Sequence, residues 1–201
     1  MIFATSSYKK MSKNNNKSKP GIFKTLRNAL TLNGDFYENA HNTPTNRRIA
    51  LIIVILAALS RAVGSAAILL INLTSVPGVL IVLLIDIIAL ILGYYFWTFS
   101  IWKIGQWLKP IDPTYNDLLS PIGFAYAPQV LNFLTVIPLL GRPIELILSL
   151  WSLLTVIIAI REGLDITTTK AMLICLLGWP FIQIAIGLVQ VIEPRIVQLF
   201  T

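Results

Sequence analysis

Residues 77–102 read PGVLIVLLIDIIALILGYYFWTFSIW, 26 positions in which Asp86 is the single charged side chain. At 1.5 Å per residue a helix of that length reaches about 39 Å, more than the roughly 30 Å hydrocarbon layer of a bilayer. Within lipid only a helix or a closed barrel satisfies every backbone group, and uninterrupted Leu/Ile/Val runs favour the helix. The neighbouring stretches 49–71, 119–140, 143–160 and 171–192 repeat the pattern. Five such stretches predict an all-α polytopic membrane bundle with five transmembrane helices.

Composition agrees. The 201 residues are 56% apolar and 12% charged, with mean hydropathy +0.76, whereas soluble domains are about 25% charged. The net charge of +7 is not evenly spread. Residues 1–48 hold nine of the sixteen basic and two of the nine acidic side chains, so the greasy remainder is electrically neutral. A cationic arm joined to such a body excludes an ordinary nucleic-acid-binding protein. One cysteine, Cys175, and one histidine, His41, exclude a disulfide framework within the chain and a His/Cys metal site. No nucleophile–base pair is available inside the apolar body, so no catalytic residue, cofactor or enzyme activity is expected.

The arm divides in two. Residues 1–19 are low-complexity and read as a disordered basic tail; the pattern predicts no secretory leader, and Met11 reads as an alternative start. Residues 20–48 read as a cytoplasmic amphipathic segment. Ile22, Phe23, Leu26, Ala29 and Leu30 share one helical face, opposite Lys24 and Arg27, and Asn33-Gly34 is a stop signal. Together with Arg47 and Arg48, those cations suit a surface of anionic lipid. The other reading packs this helix on the protein's own cytoplasmic loops. Residues 193–201 form a short external tail.

Thirteen basic residues fall on one side of the five spans: nine in the arm, then Lys103, Lys109, Arg161 and Lys170. Only Arg142 and Arg195 fall on the other. The asymmetry places the N-terminus in the cytoplasm and the C-terminus outside, and Tyr94, Tyr95, Trp97, Trp102 and Trp107 form an aromatic belt at the cytoplasmic end of the second span. Asn72-Leu73-Thr74 matches the N-glycosylation pattern on the outer side, but it abuts the membrane and reads as a chance match.

Two charges lie deep by sequence count. Arg61 is 12 residues into the first span and Asp86 is nine into the second, where an isolated charge costs about 2.5–3.5 kcal/mol or more. Their distances from the outer surface differ by one residue, which predicts an intramembrane ion pair. It would act either as a coupling site or as a clamp on the hairpin; the remaining reading is an arginine snorkelling to lipid phosphate. Ala58, Ala62 and Ala66, with Ser60 and Gly64 beside them, form a close-packing stripe that serves helix contacts within the chain or a homo-oligomer. Tyr126, Gln129 and Asn132 recur every three residues, and Gln183, Gly187 and Gln190 follow helical spacing in the last span. With Pro128 and Pro180 permitting kinks, these amides either line a polar cavity or hydrogen-bond between helices.

From Thr114 onward the chain reads TYNDLLSPIGFAYAPQVLNFL, then a Pro-Leu-Leu-Gly turn, then IELILSLWSLLTVIIAIREGLDITTTKAMLICLLGW. This part resembles the Yip family, five-span membrane proteins named for interaction with Ypt/Rab GTPases. Gly123 to Pro128, GFAYAP, is similar to that family's Gly-Tyr-x-x-x-Pro-type signature. Trp151, the Ile160-Arg161-Glu162-Gly163 run and Lys170-Ala171 resemble the bacterial pattern, and the likeness spans residues 49–192. It implies a five-span fold with a cytoplasmic N-terminus and, from the bacterial likeness, a bacterial inner or cell membrane. Eukaryotic members act in traffic between endoplasmic reticulum and Golgi, but residues 1–48 lack their acidic Asp-Leu-Tyr-Gly-Pro-like element. The expectation is a non-enzymatic membrane scaffold or adaptor whose partners are the bilayer, anionic lipid and proteins at the cytoplasmic face. The alternative is a small permease built on a polar cavity around Arg61 and Asp86.

Overall fold

The computed structural model describes residues 21–40, 43–71, 76–108, 114–137 and 139–178, together with 180 and 184. The described residues are helices and their connections, with no strand among them. Two short helices, α1 (Ile22–Leu30) and α2 (Gly34–Glu38), precede the long α3 (Pro44–Ile71) and α4 (Val76–Leu108). Then come α5 (Tyr115–Phe124), a 3-10 helix (Ala127–Val136), α6 (Gly141–Gly163) and α7 (Thr168–Gly178). By length and composition α4 and α6 can cross a membrane. The tail 1–19, the Asn72-Leu73-Thr74 triplet, Gln183, Gln190 and residues 193–201 lie outside the described residues, as does most of the stretch beyond 178.

The surface explains what solvent this chain needs. On α4, Val76, Leu80, Leu84, Ile88, Leu92 and Phe96 are all exposed and fall every fourth residue along one stripe. On α6, Leu146, Ile147, Leu150 and Leu154 are exposed likewise. The interior meanwhile takes Ser60, Thr98, Ser120, Ser152 and Thr155. Continuous apolar stripes outside with small polar side chains inside suit lipid, where packing and internal hydrogen bonds hold helices together.

The third apolar stretch departs from the expected single helix over 119–140. The α-helix stops at Phe124, and Ala127–Val136 continues as a 3-10 helix. Pro128 has no N–H to give, and the hydrogen bonds tighten as the chain approaches it. Ala125 N–H is shared between the Pro121 and Ile122 carbonyls, Tyr126 N–H turns to Gly123, and Gln129 N–H to Tyr126. A 3-10 helix rises about 2.0 Å per residue, so its ten residues extend about 20 Å where an α-helix would give about 15 Å. Such runs rarely exceed three or four residues; neighbours hold this one. Ser60 Oγ on α3 accepts from Phe133 N–H at 2.7 Å, and the Thr155 hydroxyl on α6 donates to the Ala125 carbonyl at 3.0 Å. Ser60→Ala should cost about 1 kcal/mol by removing this bond. Thermal unfolding in detergent would read it; an unchanged midpoint would mean that the bond does not hold the 3-10 segment.

The core sits at the end of the bundle carrying α1 and α2, called here the base. Tyr37, Ala50, Ile53, Tyr94, Trp97, Ile101, Leu118, Ile122, Phe124 and Ile160 pack there. Helix α2 goes beyond the sequence expectation: Asn33 ends α1 but also starts anew, its side chain accepting from Asp35 N–H at 3.0 Å. Tyr37 on α2 donates to the Ala29 carbonyl at 3.0 Å, tying the two short helices, and burial pushes its phenol well above the ordinary range. Helix α1 turns Thr25 and Ala29 inward, with Leu26 and Leu30 packed against the core. Phe23, read on the same face as Leu26 and Ala29, is instead 88% exposed beside Lys24. Ala58 and Ala62 are buried within the bundle, so that part of the stripe serves packing inside the chain.

Candidate functional site

At the opposite end, the tip, a cleft of about 600 Å³ opens between α3, the 3-10 helix and α6. Its polar wall holds Arg61 and Gly64 from α3, Gln129, Asn132 and Thr135 from the 3-10 helix, and Arg142, Glu145 and Ser149 from α6. In a 3-10 helix side chains three apart eclipse one another. Gln129, Asn132 and Thr135 therefore stand in one column, and all three face the cleft. Tyr126, first of the same series, lies below the column and packs its ring edge-on against Tyr94, centroids 5.8 Å apart.

Arg61 lies closer to the end of its neighbouring hairpin than its position in α3 implies. A Cβ on Gly64 would stand 2.8 Å from Thr135 Oγ1, and one on Gly141 would stand 2.5 Å from the Thr135 carbonyl oxygen. Gly64 is thus level with the turn that joins the 3-10 helix to α6. Arg61 is three residues, about 4.5 Å, below that level, while α3 runs about 10 Å beyond it to Ile71. At this height the neighbouring helix already carries an exposed pair, Arg142 with Glu145 at 3.6 Å.

The expected pairing of Arg61 with Asp86 is not formed. Arg61 is exposed on the cleft side, whereas Asp86 is half-buried on α4 and does not line the cleft. The ion pairs of the described residues include Arg142–Glu145 and Arg161–Glu162. The face of α3 that carries Arg61 turns toward the 3-10 helix and α6. Thr135, Glu145 and Ser149 are cleft residues that the sequence does not single out, while Gly64 reads there only as part of a packing stripe and Arg142 only as an outer cation. Thr135 had a signal, since it continues the three-residue spacing of Gln129 and Asn132.

The base presents a second surface. Lys24, Arg27, Arg47 and Arg48 are all exposed there. Lys103 Nζ sits 4.6 Å from the Trp102 ring centroid, a cation–π distance, and Trp107 is 81% exposed one turn further on. Aromatic rings with cations at their edge fit the headgroup layer, apolar on one side and wet on the other. Among the described residues no group of three His, Cys, Asp or Glu side chains is arranged to hold a metal ion.

The chain matches no curated protein and no solved structure. A model of the Yip1 domain matches residues 28–190, from within α1 to beyond α7, and so takes in both the base and the cleft. The chain belongs to the Yip1 domain family.

Proposed function

We propose that this chain is a non-enzymatic five-span membrane protein with its base in the cytoplasm, acting as a scaffold that gathers anionic lipid and protein partners there. The observation that carries the reading is the segregation of its surface. Exposed leucines and isoleucines run along α4 and α6, while Lys24, Arg27, Arg47 and Arg48 are grouped at the base. Each cation near an anionic membrane surface contributes about 1 kcal/mol, enough for four to enrich such lipids around the protein. The exposed Phe23 beside Lys24 would anchor α1 in the headgroup layer while its inner face stays docked on the core.

Bilayers containing brominated lipid test this, because bromine quenches nearby tryptophans and Trp97, Trp102 and Trp107 cluster near the base. Brominated phosphatidylglycerol should quench the full-length protein at several-fold lower mole fraction than brominated phosphatidylcholine. Replacing all four cations by glutamine should bring the two lipids close to parity. Equal quenching by both lipids with the native protein would remove the lipid half of the proposal.

A second reading, a small permease, is favoured by one feature, the polar cleft at the tip. Beneath it, however, Phe124, Ala125, Ala127 and Tyr94 are packed and buried. Transport would require α3 and the 3-10 helix to part along their whole contact, so occupancy of the cleft is the simpler use.

A further inference from the structure

Arg142 has Glu145 at 3.6 Å, but Arg61 has no acidic partner among the described residues, so the cleft carries one uncompensated positive charge. A guanidinium flanked by protein and, in a membrane-resident chain, by lipid gains most from an anion that takes two of its N–H groups at once. Phosphate does so, with oxygens spaced to match the planar fork. The eclipsed column beside Arg61 supplies further donors in the Gln129 and Asn132 amides and the Thr135 hydroxyl. The field has the right sign from the third wall too: α6 starts at Gly141 with no side-chain cap and no acidic residue in its first turn. We propose that the cleft is a binding site for a phosphate-bearing anion, with Arg61 its charge partner.

Size and lining say more about the ligand. About 600 Å³ is far more than a tetrahedral anion fills and falls in the usual range for organic ligands. The rest of the wall is apolar, with Val136, Leu139 and Leu148. A phosphate ester carrying a glycerol and the first carbons of an acyl chain would occupy both parts. Arg61 lies just below the turn at the tip, the height at which a phospholipid headgroup would meet it. The lipid form of the site rests on membrane residence; the anion site itself does not.

The full chain in an uncharged detergent can be offered three probes: short-chain phosphatidylglycerol, the diacylglycerol with the same chains, and inorganic phosphate. Native mass spectrometry reads the bound mass, and the thermal midpoint reads protection. Phosphatidylglycerol should give a saturable adduct and raise the midpoint, whereas diacylglycerol should do neither. With Lys24, Arg27, Arg47 and Arg48 already replaced by glutamine, so that the base contributes no lipid binding, the adduct should remain, and adding Arg61→Gln should weaken it at least tenfold. Protection by inorganic phosphate as well as lipid assigns the site to the phosphate group alone; protection by lipid only assigns it to the headgroup. Should Arg61→Gln not fold, Asn132→Leu keeps every charge and should still weaken binding several-fold. Absence of an adduct on the native protein, equal binding by diacylglycerol, or undiminished binding by the folded variants would overturn the proposal. Measured on the chain without its four base cations, these outcomes are independent of the basic surface, which the brominated-lipid experiment addresses separately.

Discussion

Gly123→Val should destabilise the bundle by about 3 kcal/mol or more, while Gly93→Ala should leave stability unchanged or raise it by about 0.5–1 kcal/mol. Both glycines lie in helices, and the difference is in what surrounds them. A Cβ at Gly123 would stand 2.7 Å from the Ala50 Cβ, 3.4 Å from the Ala50 carbonyl carbon and 3.3 Å from the Tyr94 hydroxyl. The Ala50 atoms are fixed to the α3 backbone and cannot swing aside, so α3 and α5 must separate. Ala50, Ile53, Leu118, Leu119 and Ile122 are all buried at that contact, and separation would loosen them together. At Gly93 nothing lies within 4 Å of the added carbon, and alanine there restricts only the unfolded chain. Thermal unfolding of the full chain in detergent, followed by tryptophan fluorescence, reads both variants. Opposite signs are expected; a Gly123→Val midpoint equal to the native one would mean that α3 and α5 do not meet at this glycine.

How much of this fold is legible in the sequence depends on what each element answers to. The runs 49–71 and 77–102 form α3 and α4 with ends shifted by no more than six residues, because a long apolar run satisfies its own backbone as a helix. The break at Ala125 is harder to read. Pro128 is visible, but a proline can kink a helix or convert the residues after it to a tighter one, and the choice lies with Ser60 and Thr155 on other helices. The period of three in Tyr126, Gln129 and Asn132 is the spacing of a 3-10 helix, so part of the answer is present in the pattern. Helix α2 escapes the sequence reading because Asn33-Gly34 serves equally as an end and as a cap. Counting from the ends of α3 alone leaves out that the neighbouring hairpin ends close to Arg61, because it assumes that every helix stops at one plane. Here the hairpin of the 3-10 helix and α6 stops about 10 Å short of Ile71. The faces that α3 and α4 present to one another are tertiary properties, and no count along either helix gives them.

Tyr94→Ala is the second substitution expected to have a large effect, about 3–5 kcal/mol, against about 1 kcal/mol for Tyr94→Phe. The side chain is 2% exposed, donates to the Leu119 carbonyl at 2.6 Å and stands edge-on to Tyr126. It thereby ties α4 to both halves of the broken third segment, α5 through the hydroxyl and the entry to the 3-10 helix through the ring. Phenylalanine keeps the ring in place and forfeits one hydrogen bond. Alanine leaves a cavity between Tyr126 and Leu119 that the surrounding helices cannot close without shifting. Because Tyr126 sits directly below the Gln129–Asn132–Thr135 column, that shift should travel upward into the cleft. Tyr94→Ala is therefore expected to weaken phosphatidylglycerol binding as well as stability, whereas Tyr94→Phe should lower stability alone. If the alanine variant binds the lipid as the native protein does, the column is held by Ser60 and its hydrogen bond to Phe133, and the contact between the two tyrosines belongs to the core of the base.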